Sequence, residues 1–128
     1  MEGYIQQALQ ELKHKLTSNK QQYAPSRVTW PDYRAKVQYA HANAGEPING
    51  TCIRRIEQII GKFLYYARAI YTTMRHALSS ISTQTKNATT NTEAAAQYLM
   101  DYAYHNPDAE VMFRASDMIL ACNSDALY

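Results

Sequence analysis

The chain has 128 residues, of which 46% are apolar and 19% charged, with a formal net charge of +2 and a mean hydropathy of -0.48. These values fit one globular domain, or a piece of a larger one, and argue against wholesale disorder. The absence of any run of about 18 to 20 apolar residues predicts that the chain does not span a membrane. The N-terminus lacks the basic flank and apolar stretch of a signal peptide, which predicts an intracellular location, cytoplasmic or nuclear.

The charge is distributed unevenly along the chain. Residues 1–75 carry eleven Lys and Arg against five acids, whereas residues 76–128 carry two against six. A basic front half suggests an anionic partner, most simply a nucleic-acid backbone, and a solvated surface of scattered cations is the alternative. Eleven tyrosines against two Phe and one Trp suit half-buried surfaces, interfaces and nucleic-acid grooves without choosing among them.

The first half of the chain predicts a helix followed by a linker. Apolar residues spaced by three and four predict an amphipathic helix over residues 4–16, within an N-terminal unit of residues 1–20. Residues 21–50 contain three of the four prolines and are expected to form an extended linker.

The strongest helical periodicity lies in a segment over residues 51–106. Gly61 interrupts its first helix, and close packing against another helix is the expected compensation for the low helix propensity of glycine. Tyr65 and Tyr66 follow, and packing is favoured over base stacking for both. A break or a second helix is expected near residues 71–83. The predicted apolar stripe of the first helix comprises Ile53, Ile56, Ile60, Phe63, Leu64, Ala67 and Ile70.

A third helix and a change of period complete the predicted elements. Thr90 and Glu93 form a candidate capping box that opens the helix, and Asn106 with Pro107 ends it. Residues 107–128 then predict one β-hairpin, whose second strand is a continuous apolar run. The predicted class is therefore α+β, mainly α, with three to four amphipathic helices followed by a C-terminal hairpin.

Catalytic and metal-binding motifs are sparse in this sequence. The four histidines lie in separate segments, and Cys52 and Cys122 have no nearby histidine, so no zinc pattern or disulfide framework is indicated. No GxSxG, HExxH, Walker or GxGxxG motif occurs. Asp125 follows the apolar run of the hairpin as an active-site carboxylate often does, but two-metal phosphodiester hydrolysis needs several converging carboxylates.

Five stretches together resemble the C-terminal part of the reverse transcriptase of copia-type LTR retrotransposons, where the polymerase thumb and connecting segment run into an RNase H domain. The resemblance covers nearly the whole chain. The stretches are MEGYIQQALQEL (1–12), YRAKVQYA (33–40), RIEQIIGKFLYYARAIYTTM (55–74), TEAAAQYLMDYAYHNPDA (92–109) and ASDMILACNSDALY (115–128).

The resemblance implies a thumb-like helical bundle that flanks a template-primer duplex, with backbone contacts from basic residues. The candidates for those contacts are Arg54, Arg55, Lys62 and Arg68. Asp125, in the triplet Ser-Asp-Ala, matches the first RNase H carboxylate of the family, whose intact enzyme uses Mg. These 128 residues contain neither the palm Tyr-x-Asp-Asp motif nor the remaining RNase H carboxylates. The expectation is a non-catalytic chain without a cofactor of its own, whose partners are nucleic acid and the missing palm and RNase H parts of a polyprotein.

A second hypothesis is a small helical module for protein interaction or homo-oligomerisation, derived from such an element. Tyrosine-rich stripes would bind another protein or a second copy, and the hairpin would add strands to a partner's sheet. An independent RNase H enzyme is nearly excluded, because the further carboxylates would have to come from another chain.

Overall fold

The computed structural model of the chain describes residues 3–27, 33–34, 45–108 and 115. This part is mainly helical, as predicted, and none of its helices is long and apolar enough to cross a membrane. The predicted hairpin lies outside the described residues except for positions 107, 108 and 115. The helices α1 to α4 span Tyr4–Glu11, Gly50–Ala69, Thr73–Gln84 and Thr90–His105, and a 3-10 turn spans Thr85–Asn87.

Helix α1 ends at Glu11, earlier than the predicted end at residue 16. Lys13 adopts the left-handed conformation with a φ of 49°, and its N–H donates to the carbonyl of Gln10 at 2.9 Å. The N–H of His14 donates to the carbonyl of Leu9 at 3.0 Å. These two bonds form a Schellman motif, which satisfies the last carbonyls of the helix and turns the chain away from its axis.

The two longest helices begin with side-chain caps. The Asn49 side chain accepts a hydrogen bond of 2.9 Å from the N–H of Cys52 and caps α2. At α4 the N–H of Thr89 donates to the hydroxyl of Thr92 at 3.2 Å within a reciprocal capping box. The capping box predicted at Thr90 and Glu93 is therefore wrong by one residue. The observed box is formed by Thr89 and Thr92, and Thr92 takes the role that glutamate usually has.

The core is formed by one face of each helix. On α2, the predicted stripe is confirmed at Ile56, Phe63 and Ala67, which are all buried. The stripe missed Ile59 and Tyr66, which are 2% and 3% exposed, because α2 is covered by more than one neighbour and its buried face is wider than a single row. The other helices contribute, among others, Ile5, Leu9, Met74, Leu78, Leu99 and Met100.

A chain of four tyrosines joins three helices through the core. The rings of Tyr4 and Tyr66 stack with 5.0 Å between centroids, and Tyr66 meets Tyr71 edge to face at 6.3 Å. The hydroxyls of Tyr71 and Tyr102 share a hydrogen bond of 2.7 Å, and burial together with this bond raises the pKa of Tyr71. Aromatic pairs of this kind contribute about 0.5 to 1.5 kcal/mol each beyond their buried area. Much of the unusual tyrosine content therefore serves packing.

An isolated antiparallel bridge between Pro47 and Thr89 ties the chain before α2 to the start of α4. The N–H of Thr90 donates to the carbonyl of Glu46 at 3.0 Å beside this bridge. A Cβ atom at Gly45 would lie 2.9 Å from the Thr90 hydroxyl oxygen, so the close approach of the two segments requires glycine there.

Residues 13–27, which we call the 13–27 loop, pack along α4. Gln97, Asp101 and His105 lie one turn apart on that helix, and each contacts the backbone of the loop. The Gln97 amide nitrogen donates to the carbonyl of Lys15 at 2.9 Å, and the Asp101 carboxylate accepts from the N–H of Thr17 at 3.3 Å. The first residues of the predicted linker, 21–27, thus lie against a helix, and residues 28–32 and 35–44 lie outside the described part. Further contacts join His105 Nε2 to the Ser18 carbonyl at 3.2 Å and the Asn106 amide to the Gln22 carbonyl at 3.0 Å.

A buried His14–Asp101 pair anchors the start of this loop. His14 Nε2 lies 2.9 Å from an Asp101 carboxylate oxygen, and the two side chains are 2% and 3% exposed. The Gln97 amide nitrogen lies 3.3 Å from His14 Nδ1. Because an amide nitrogen is a donor, this contact favours the neutral imidazole with Nδ1 as acceptor.

Acidification is expected to destabilise the fold through His14. Burial lowers the pKa of His14 below its ordinary value of 6.5, Asp101 opposes this shift and Arg55 adds to it. Below about pH 6.5 the folded state therefore binds fewer protons than the unfolded chain, and the stabilisation present above that pH is lost as the pH falls through the folded pKa. We expect His14→Gln to reduce the pH dependence of the unfolding free energy between about pH 7.5 and 5.5, by up to about 1.4 kcal/mol per pH unit.

The measurement is urea unfolding of both proteins across this pH range. His76→Gln removes an exposed imidazole on α3 and provides the control, so an effect that belongs to the buried site should be found in His14→Gln and not in this variant. The same slope in wild type and His14→Gln would contradict the inference that His14 is neutral in the folded state.

Candidate nucleic-acid interface

The exposed side of α2 carries a row of residues opposite its buried face. Arg54, Gln58, Gly61, Tyr65 and Arg68 are all exposed. At about 100° per residue they lie within about 80° around the helix axis, and at about 1.5 Å per residue the row is about 21 Å long. We call these five residues, together with the adjacent Arg55, the α2 basic face.

Three of the four predicted cations point freely to solvent. Arg54, Arg55 and Arg68 are exposed and have no ion pair with the described residues. The only acid within α2 is Glu57, so this helix retains a positive surface. Glu57 is exposed one turn after Arg54, but no ion pair joins these two side chains, so the guanidinium groups can contact phosphate without first breaking a pair with a described residue.

Lys62 differs from the three arginines. Its ammonium contacts the carboxylate of Glu11 on α1, and this contact lowers the pKa of Glu11. The hydroxyl of Tyr4 donates to the carbonyl of Lys62 at 2.7 Å. Lys62 therefore lies at the contact between α1 and α2, where its charge is compensated within the chain.

Gly61 lies at the middle of the α2 basic face and is not covered. A Cβ atom at this position would have no atom of the described residues within 4 Å, and Gly61 is exposed. The expectation that another helix packs closely against Gly61 is therefore wrong. The core does not use the missing side chain, which leaves the α2 backbone open to an approaching molecule.

The two adjacent tyrosines have opposite environments. Tyr66 is 3% exposed and belongs to the core, whereas Tyr65 is 65% exposed and lies one turn after Gly61. The prediction that packing is favoured over base stacking therefore holds for Tyr66 and not for Tyr65. An exposed aromatic ring beside unpaired arginines is able to stack on a base or on a sugar.

Asp125, the predicted catalytic carboxylate, lies outside the described residues. Within the described part, no group of three or more His, Cys, Asp or Glu side chains is arranged to hold a metal ion. The buried acid Asp101 is engaged by His14 and by the N–H of Thr17. Asp101, His14 and His105 therefore serve to anchor the segment that follows α1.

Sequence reasoning found the arginines of this face but did not connect them to Gly61 and Tyr65. Arg54, Gly61 and Arg68 are separated by seven residues each, which is close to two helical turns. That spacing is a usable signal for a shared face. The spacing alone did not show that this face is exposed, because periodicity does not tell which side of a helix its neighbours cover.

Comparison with known proteins adds no assignment: no protein-family model, no curated protein and no solved structure matches this chain.

Replacing Gly61 by alanine is expected to stabilise the fold. Alanine has the higher helix propensity, by about 1 kcal/mol, and its methyl group meets no other atom at this position. Urea unfolding should therefore show an increase of about 1 kcal/mol in the unfolding free energy of Gly61→Ala. Gly45→Ala is the matched control and should destabilise, because its Cβ would lie 2.9 Å from the Thr90 hydroxyl. A loss of stability in Gly61→Ala would show that the position is packed.

Proposed function

We propose that this chain is a non-catalytic segment of a retroelement RNA-directed DNA polymerase, in which thumb-like helices precede the opening hairpin of an RNase H domain. Its proposed activity is sequence-independent binding of duplex nucleic acid through the α2 basic face. The observation that carries the binding proposal is the exposed Gly61 at the centre of a helix face whose arginines form no ion pair with the described residues.

The charge of the face favours a polyanionic partner. Arg54 and Arg68 lie about 21 Å apart along α2, a distance over which a duplex presents phosphates from both of its strands. Guanidinium groups bind phosphate oxygens in a bidentate manner, so the two ends of the face suit the phosphates at the two borders of a groove. Such contacts determine position and orientation without reading the sequence.

The centre of the face favours close approach to a shallow groove. Without a side chain at Gly61, the α2 backbone is able to come nearer to a groove floor than at the exposed positions of the helix that carry side chains. The minor groove of an A-form helix is wide and shallow, and RNA-containing duplexes present such a groove. Tyr65, one turn away, offers a ring to the sugars along it.

A protein-interaction module is the second candidate. It is favoured by the exposure of Tyr65 and Tyr104, which are 65% and 54% accessible. Exposed tyrosines are common at protein interfaces. Concentration-dependent oligomerisation in analytical ultracentrifugation, without duplex binding at low salt, would favour this candidate over the first.

Neutralising both ends of the α2 basic face is expected to weaken duplex binding. In fluorescence anisotropy with an RNA/DNA hybrid at low salt, Arg54→Gln/Arg68→Gln should lose affinity by roughly tenfold or more. The slope of log K against log salt should fall by about 2 units, because two phosphate contacts are removed. Hybrids of unrelated sequence should be affected equally.

Two variants serve as comparisons in this assay. Arg75→Gln removes an exposed arginine on α3 and should change affinity little. Lys62→Gln should cost less affinity than Arg54→Gln, because Glu11 already compensates the lysine charge. An unchanged affinity in the double variant would refute the assignment of the binding surface.

The purified chain is expected to leave an RNA/DNA hybrid intact in the presence of Mg. Asp125 is the single carboxylate that the resemblance assigns to the RNase H site, and a two-metal reaction needs several. Gel analysis of a labelled hybrid, with a catalytic RNase H as positive control, measures this directly. Mg-dependent cleavage that disappears in Asp125→Asn would refute the non-catalytic assignment.

A further inference from the structure

The 13–27 loop forms a second positive surface, separate from α2. Lys13, Lys15, Lys20 and Arg27 are all exposed, and no acid occurs between Leu12 and Trp30. Four cations without any intervening acid make this loop the most uniformly basic stretch of the chain. A surface of this kind attracts a phosphate backbone.

The loop is attached to α4 by polar contacts, of which the His14–Asp101 pair is buried, and not by its lysines. The His14–Asp101 pair and the Gln97 amide fix its first limb, and the Asn106 amide donates to the Gln22 carbonyl on its second limb. None of these contacts uses a lysine side chain. The cations are therefore displayed from a backbone of defined shape, which lowers the entropy cost of binding.

Tyr23 extends from the second limb and is 84% exposed. It stacks on no other ring within the described residues. By contrast, the ring of Tyr98 beneath the loop is covered by the guanidinium of Arg27 at 5.2 Å. Tyr23 thus offers both ring faces within a basic loop, which is the combination that proteins use to bind single strands.

The loop is adjacent to the α2 basic face. The loop begins two residues after Glu11, whose carboxylate contacts Lys62 on α2, and Lys13 and Lys15 at this start are exposed. The start of the loop therefore lies beside α2, and one nucleic-acid chain is able to follow both positive surfaces.

We propose that the 13–27 loop binds a single-stranded extension of the duplex held by the α2 basic face, with Lys15 and Lys20 on phosphates and Tyr23 stacked on an unpaired base. A single strand is favoured over more duplex because paired bases are already stacked on each other and cannot reach an aromatic side chain. This inference rests on the proposed function for the duplex part of the ligand.

The test compares two ligands at one salt concentration by fluorescence anisotropy. One is a blunt RNA/DNA hybrid of about 12 base pairs, which is longer than the α2 basic face, and the other carries an added extension of about ten unpaired thymidines. The wild-type chain should bind the extended ligand more tightly. Lys20→Gln/Tyr23→Ala should lower affinity for the extended ligand by about tenfold and leave affinity for the blunt ligand unchanged.

A matched control is Lys86→Gln/Tyr33→Ala, which removes one exposed lysine and a tyrosine that is 88% exposed, both outside the loop. It should retain the wild-type preference for the extended ligand. The assignment of the loop to the single strand would be overturned if the wild type bound both ligands with equal affinity. It would also be overturned if the loop variant lost the same affinity for both ligands.

The α2 variant Arg54→Gln/Arg68→Gln separates this inference from the proposed function. If the α2 variant weakens the binding of both ligands and the loop variant weakens only the binding of the extended ligand, the assignments of the α2 basic face and of the 13–27 loop both stand. If the α2 variant leaves the affinity for the blunt ligand unchanged and the loop variant still abolishes the preference for the extended ligand, the α2 assignment fails and the loop assignment stands.

Discussion

Helix α2 is buried along one side only, and the arrangement of the other described helices depends on that contact. Ile56, Ile59 and Phe63 are almost completely buried, and α2 packs against α3 and α4. Tyr66 extends the contact to α1 by stacking on Tyr4. The burial of apolar area on this side is the main stabilising term for a chain of this size. Because these contacts all lie on one side, the opposite side stays exposed over the length of the helix.

Gly61, on the exposed side of α2, lowers the stability of the helix without a compensating contact to the described residues. Glycine within a helix is less favourable than alanine by about 1 kcal/mol, and no described residue lies close enough to Gly61 to require its small size. At Gly45, in contrast, a side chain would collide with the Thr90 hydroxyl, so packing explains that glycine. A residue that lowers stability without a packing reason is a sign of a functional constraint, and here it coincides with unpaired arginines and an exposed tyrosine.

The sequence predicted the helical class, the helix break near residue 71 and the central part of the α2 stripe, because these depend on local periodicity. It did not predict the end of α1, where a Schellman motif places Lys13 in the left-handed conformation and directs His14 towards Asp101. Nor did it predict the attachment of residues 13–27 to α4. That attachment depends on polar residues 80 or more positions apart in the chain, such as Gln97 with Lys15, and no local pattern encodes it. The arginines of the candidate interface were found from charge alone, whereas their relation to Gly61 required knowledge of which side of α2 is covered.

The uneven charge of the chain has a structural explanation in this fold. Eight of the eleven cations in residues 1–75 lie on α2 or on the 13–27 loop, and all of these except Lys62 are exposed. In the second half, Asp101 is buried on α4, where it accepts from the backbone of that loop and contacts His14. A buried carboxylate contributes little net stability, since its desolvation offsets much of its pairing energy. Its consequence is geometric: it fixes the backbone from which Lys15 and Lys20 extend. One half of the chain thus supplies the positive surfaces, and the other half supplies an acid that determines the position of one of them.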